Sequence, residues 1–506
     1  MIGELTDTYF PMPWILDAVN GVGFLLESSE FSLFDLEAAE PGSWSVQVWR
    51  GRGTSFSLFP GPAPRDLVMQ LTAHVGRPVA RPPDWALEGL WLAAQGGSDA
   101  VREKVDALLD AGALLTAVWS QDWLGMKDFG FGNVGVKYHW IHDEDHYPDL
   151  EGLIAELDAE GIRFLGYFNP FVLPEYEHWD EAVEGGYLIR EASGDPYLFP
   201  MINNDWSLPD LSDSAAREWF KGYARAATDM GQRGWMCDFG EYLPWDAVLD
   251  DGNAPAEHNL YPAGWHRLSR EVLEEAWPDG DFVLLTRSGY TGEHRVAQVV
   301  WAGDQEATWD ELDGLPTVPR ALTSLGLSGI PFTTHDIGGF SGGPRTKELL
   351  LRWVELGAFT PFMRTHEGLR KAANVQVWSD PETLAHTARF TVLHAALLPY
   401  LRELAEEAVE TGLPMVRHTL LVDPGWEGSH AADAQWLLGD DLLVVPVLGE
   451  GALAVEARLP EGTWEHLFTG EVAQGRTKLR VEAPPGQPAV FVRQGTLEDL
   501  VPAFRR

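Results

Sequence analysis

The chain has 506 residues, more than one hydrophobic core usually organises, so two or three domains are expected. Its 77 acidic and 36 basic residues give a formal net charge of −41, a field that repels phosphate backbones and anionic lipid and argues against nucleic-acid or membrane partners. One cysteine, Cys237, permits no intrachain disulfide, no apolar run approaches the ~20 residues of a membrane span, and Glu4 and Asp7 stand where a secretory leader has Lys or Arg, so a cytoplasmic protein is expected.

Residues 1–80 read as short strands broken by turns, with Gly23–Leu26, Ser45–Trp49 and Ser55–Phe59 ahead of the proline-rich PGPAP. They predict a partial N-terminal β-sandwich, a connecting helix near Leu67–Val75 and a boundary at Arg81–Pro83. From about residue 86 short apolar runs alternate with helical segments, the pattern of βα units on a parallel sheet. The first unit is LEGLWLAA (87–94) and the helix after it, with Val101, Val105, Leu108 and Leu109 on one face, Ser98 as N-cap and Gly112 as stop.

Eight such runs are found, at 87–94, 113–120, 162–168, 233–237, 281–286, 297–302, 329–334 and 357–363. They predict an α/β chain whose residues 81–410 form a (β/α)8 TIM barrel, with an excursion over its mouth at about 171–211. Within two residues after each run comes a polar side chain: Gln95, Gln121, Asn169, Asp238, Arg287, Asp304, Asp336 and Arg364. Barrel enzymes build their sites at these C-terminal strand ends. Residues 411–506 return to β-type patterning, with DLLVVPV (441–447) as a buried strand and 458–470 as strand, turn and strand, and predict a C-terminal β-sandwich.

GWMCDFGE delivers Asp238 to the barrel rim with Glu241 close behind, and WAGDQ delivers Asp304 two strands further round. Two carboxylates on nearby strand ends can flank one glycosidic bond, and a retaining pair stands about 5–5.5 Å apart. One member attacks as carboxylate while the other must hold a proton, a task that an apolar wall such as Trp301 and Trp309 assists. Arg287 is placed to keep a carboxylate ionised and to hold a hydroxyl. The plainer reading of each residue alone is a hydrogen-bonded strand end. Cys237 should face the helices, because neighbours in a strand point to opposite sides. No clustered metal ligands and no phosphate loop are present, so no cofactor is expected.

The ordered set GWMCDFGE, RSG, WAGDQ, HDIGGF and RTHEG resembles glycoside hydrolase family 31. AAQGG, VWSQDWLG, GYFNPF and HNLYP resemble its sulfoquinovosidase branch, and the likeness runs from about Tyr9 to the C-terminus. The resemblance implies a retaining, exo-acting α-glycosidase, α-glucosidase-like, that hydrolyses the O-glycosyl bond of a small α-glycoside. Asp238 is then the nucleophile and Asp304 the acid/base. The implied substrate-binding residues are Gln95, Gln121, Trp123, Tyr138, Glu241, Arg287, Trp301, Asp336, Phe340 and His366. Two departures stand out. The likeness starts partway into the family's N-terminal sandwich. Of five sulfonate contacts in the branch, Gln95 and Gln121 match, while Gly135, Tyr138 and Phe340 occupy the Arg, Trp and Tyr positions. Lys127 or Lys137 would be the substitute cation. The alternatives are an α-transglycosylase on the same site or a non-catalytic sugar-binding homologue, and a homo-oligomer is compatible with either.

Overall fold

Eight short parallel strands form the centre of the molecule, seen in a computed structural model that describes residues 8–36, 41–49, 53–128, 134–201 and 204–505. They are Leu90–Ala93, Leu115–Trp119, Arg163–Phe168, Gly234–Cys237, Val283–Thr286, Val299–Trp301, Thr333–Thr334 and Met363–Arg364. Neighbours pair in chain order and the eighth strand pairs with the first. The ring closes where Ile337 N–H donates to Arg364 O at 2.9 Å and His366 N–H donates to Ile337 O at 3.1 Å. Strands buried on both faces need apolar side chains at nearly every position, which is why they read as continuous runs.

Helices lie between most of the strands, among them Ser98–Asp110, Leu150–Ala159, Ser214–Asp229 and Tyr261–Ala276. Between the fifth and sixth strands the short link holds only a 3-10 turn, Glu293–Arg295. Three local expectations are corrected. Residues 84–88 form a helical turn, so the first strand begins at Leu90; Pro83 precedes this turn and Asp84 opens it, a helix-start pattern that overrides the apolar run. The last run, 357–363, yields a strand only at Met363–Arg364, because the preceding helix runs to Gly357 and the segment after it turns back. Short apolar runs do not distinguish a strand from a buried turn. Ser98 does not cap its helix: its hydroxyl donates to Pro148 O at 3.1 Å, and Gly97 stands at the N-cap.

Residues 171–211 contain a helix, His178–Gly185, and a hairpin of Phe199–Met201 with Asn204–Trp206. Trp206 from this excursion packs on Phe171 and Tyr138, at centroid distances of 4.6 and 5.2 Å. The N-terminal strands form a three-stranded antiparallel sheet (Trp14–Asp17, Val22–Leu26, Phe56–Pro60) and a hairpin (Ser32–Leu36, Trp44–Val48). Trp44, Phe56 and Leu58 remain exposed there. At the other end a six-stranded antiparallel sheet and the pair Ala454–Leu459 with Thr477–Glu482 enclose Leu443, Val445, Leu459, Trp464 and Phe491. The 458–470 segment carries the chain from the two-stranded pair into the six-stranded sheet. Among the described residues no helix is long and apolar enough to cross a membrane.

Candidate active site

The C-terminal strand ends open into one cavity. Asp238, Arg287, Trp301, Asp304 and Asp336 line it from the fourth to seventh strands. Gln95, Gln121 and His366 line it from the first, second and eighth, with Tyr138 and Phe340 from the loops. Glu241 stands behind Arg287, outside the lining. Trp123 is not brought to the cavity: it is fully buried, its indole packs on Phe168 at 5.6 Å and its Nε1–H donates to Tyr167 O at 3.2 Å. Trp301 lines the cavity, whereas Trp309 does not.

Arg287 organises the acidic side. Its Nη1 lies 3.1 Å from Asp238 Oδ1 and 3.3 Å from Asp304 Oδ2, and its Nη2 lies 2.6 Å from Glu241 Oε1. Sharing one nitrogen at these lengths keeps the two oxygens within about 6.4 Å of each other, on the short side of the separation typical of an inverting pair. The guanidinium is sandwiched between the rings of Tyr9 and Phe239, at 4.4 and 4.2 Å, which fixes its plane. Phe239 adopts a left-handed backbone, φ 62°, and Gly240 follows at φ 114°. The chain thus leaves the strand sharply just after Asp238, and such strain persists where surrounding contacts over-determine the site.

Asp238 also accepts a hydrogen bond from the Tyr167 hydroxyl at 2.7 Å. Burial pushes its carboxyl up, to about 6, with Asp304 and Glu241 adding to the rise and Arg287 and Tyr167 opposing it. The side chain of Asp304 is twice as exposed, 25% against 12%, so it is the member of the pair more open to solvent. Asp336 is pinned by a buried ion pair with Arg364. His366 Nδ1 accepts from Gly368 N–H at 2.8 Å and burial lowers its pKa to about 3. The ring is therefore neutral with its proton on Nε2, a donor for the cavity.

On the opposite side, Gln95 Nε2 donates to Gln121 Oε1 at 3.0 Å. Neither lysine expected to replace the missing arginine reaches this wall: Lys127 pairs with Glu175, and Lys137 pairs with Asp143 at 2.5 Å. The glycines of HDIGGF serve protein packing, since a Cβ on Gly338 would meet Arg345 Nη1 at 2.0 Å. Arg345 in turn donates to His366 O and Gln376 Oε1, holding the eighth strand's loop. Cys237 faces away, its Sγ 3.2 Å from Ser269 Oγ on the neighbouring helix. Sequence reasoning missed Tyr167 and Tyr9. Tyr167 stands two residues before the rim residue Asn169, so period-2 alternation was a usable signal for it, whereas nothing in the sequence ties Tyr9 to Arg287.

Residues 79–404 match the model of the glycosyl hydrolases family 31 TIM-barrel domain, and residues 412–497 that of the family 31 C-terminal domain. The sulfoquinovosidase of Escherichia coli (strain K12) is 36% identical over 496 residues, covering 97% of this chain and 72% of that protein. A family 31 sulfoquinovosidase from E. rectale, solved in complex with an aza-sugar inhibitor, superposes with a TM-score of 0.94 at 32% identity, covering 99% of this chain and 75% of that one. The cycloalternan-degrading enzyme of Trueperella pyogenes, solved in complex with a covalent intermediate, gives a TM-score of 0.84 at 26% identity, covering 97% of this chain and 71% of that one.

Proposed function

The chain belongs to glycoside hydrolase family 31 and is a glycosidase that hydrolyses glycosidic bonds, and from that premise we propose that it is a retaining, exo-acting α-glycosidase of terminal α-linked hexoses. The observation that carries this reading is the single Arg287 nitrogen shared by one oxygen of Asp238 and one of Asp304. A donor common to both carboxylates favours the close spacing that a covalent mechanism needs. The similar Trueperella pyogenes enzyme, known in complex with a covalent intermediate, supports the same route.

In the first step Asp238 Oδ attacks the anomeric carbon, the bond to the aglycone oxygen breaks, and Asp304 gives that oxygen its proton. In the second step Asp304, now ionised, takes a proton from water. The water oxygen attacks the anomeric carbon and the ester to Asp238 breaks, releasing the sugar with its original configuration. Arg287 and Tyr167 stabilise the attacking carboxylate, and Glu241 braces Arg287. The greater exposure of Asp304 suits the member that meets both leaving group and water. Asp336 and His366 bind sugar hydroxyls, the former as acceptor and the latter through Nε2–H. Gln95 and Gln121, from the first and second strands, line the cavity across from the acidic cluster, which supports an exo-acting pocket.

The test is turnover of matched aryl α- and β-glycosides across pH. Release of aglycone is expected from the α-anomer alone. Asp238 must be ionised to attack and its carboxyl is raised to about 6, so kcat/KM should fall about tenfold per unit as pH drops below that value. Turnover of the β-anomer contradicts the assignment.

A further inference from the structure

The wall of the cavity remote from the carboxylates carries a cation outside the expected set of site residues. Lys371 lies in the turn after the eighth barrel strand and lines the cavity beside Gln95 and Gln121. These three come from strands eight, one and two, which are adjacent in the ring. Asp238, Arg287 and Asp304 come from strands four, five and six, on the other side of it. A pyranose whose anomeric carbon meets Asp238 therefore turns its far edge toward Lys371.

The local chemistry is one-sided. Lys371 Nζ donates to Gln95 Oε1 at 3.3 Å, and Gln95 passes the polarity on to Gln121 Oε1. Among the described residues the Gln121 amide nitrogen has only the thioether of Met236, 3.9 Å away, which leaves donor capacity for a ligand. Among the described residues no carboxylate lies within ion-pair distance of Lys371, in a chain with 77 acidic residues. Nearby lysines are neutralised: Lys104 by Glu367 at 2.7 Å, Lys127 by Glu175 and Lys137 by Asp143. A lone ammonium with a free amide donor, lodged in a cavity, is complementary to an anionic oxygen cluster and has no such partner among the described residues.

We propose that Lys371 and the Gln121 amide form an anion-recognising end of the site, which selects α-hexosides with a sulfonate or carboxylate remote from the anomeric carbon. The proposal rests on the glycosidase reading and deepens it, because it makes a turn lysine the determinant of charge selectivity.

The experiment measures kcat/KM for the 4-nitrophenyl α-glycosides of sulfoquinovose, glucuronic acid and glucose with wild type, Lys371→Gln and Lys371→Arg. Wild type is expected to prefer one of the two acidic glycosides to the glucoside. The ratio should fall at least 30-fold in Lys371→Gln and recover in part in Lys371→Arg. Preference for the sulfonate or the carboxylate identifies the anion. Preference for the glucoside, or a ratio unchanged within threefold in Lys371→Gln, overturns the proposal. Thermal stabilisation by free sulfoquinovose, glucuronate and glucose is measured in parallel and needs no turnover. If no glycoside is cleaved yet an acidic sugar raises Tm only when Lys371 is present, the anion site stands and the hydrolase reading falls. If the acidic sugars stabilise Lys371→Gln as well as wild type, the site falls.

Discussion

Replacing Asp238 with alanine should lower kcat on an activated aryl α-glycoside by about 10⁴-fold or more, because the covalent step loses its nucleophile. Azide, small enough for the space left by the carboxylate, should restore turnover and yield the β-glycosyl azide. The fold should persist, since Arg287 retains Glu241 and Asp304 as partners. The hydroxyl of Tyr167 loses its acceptor, a cost of about 1–3 kcal/mol that a Tm measurement will register. Near-normal turnover without azide removes Asp238 from the nucleophile's role.

Asp304→Ala should behave differently with each leaving group. General acid help contributes about 10²–10⁴-fold, so alkyl α-glycosides should lose turnover by that order. A dinitrophenyl glycoside, whose aglycone departs without a proton, should still react in its first step and then stall. The glycosyl ester on Asp238 then accumulates because no base activates water, and azide should release it as the α-glycosyl azide. The opposite azide anomers from the two variants separate the roles of two carboxylates that share Arg287 Nη1. An equal loss on alkyl and dinitrophenyl glycosides contradicts the acid role.

Much of this architecture is legible in the chain because buried parallel strands leave a local mark: a short apolar run followed by a polar residue that faces the mouth. Most of the strands follow that mark, and Asp238, Arg287 and Asp304 converge from three consecutive ones. The rule fails where the backbone leaves the strand by an irregular path. Trp123 lies close behind Gln121, yet the 3-10 turn Asp122–Leu124 swings its indole into the core. Lys127 and Lys137 were the obvious cations, but their partners Glu175 and Asp143 become visible only once loops are packed together. Lys371 and Tyr9 reach the site from a turn and from the N-terminal segment, where no periodicity reports direction. Nor does spacing reveal which carboxylate is buried deeper, the property that raises Asp238.

In the proposed mechanism the arginine-bridged pair of Asp238 and Asp304 works by double displacement. Proton NMR of the sugar first released from an α-glycoside, recorded before mutarotation, tests it directly. The α-anomer is expected to appear first, with the β-anomer growing in only as the solution equilibrates. First appearance of the β-anomer would mean a single displacement by water and would contradict the assignment of Asp238 as nucleophile.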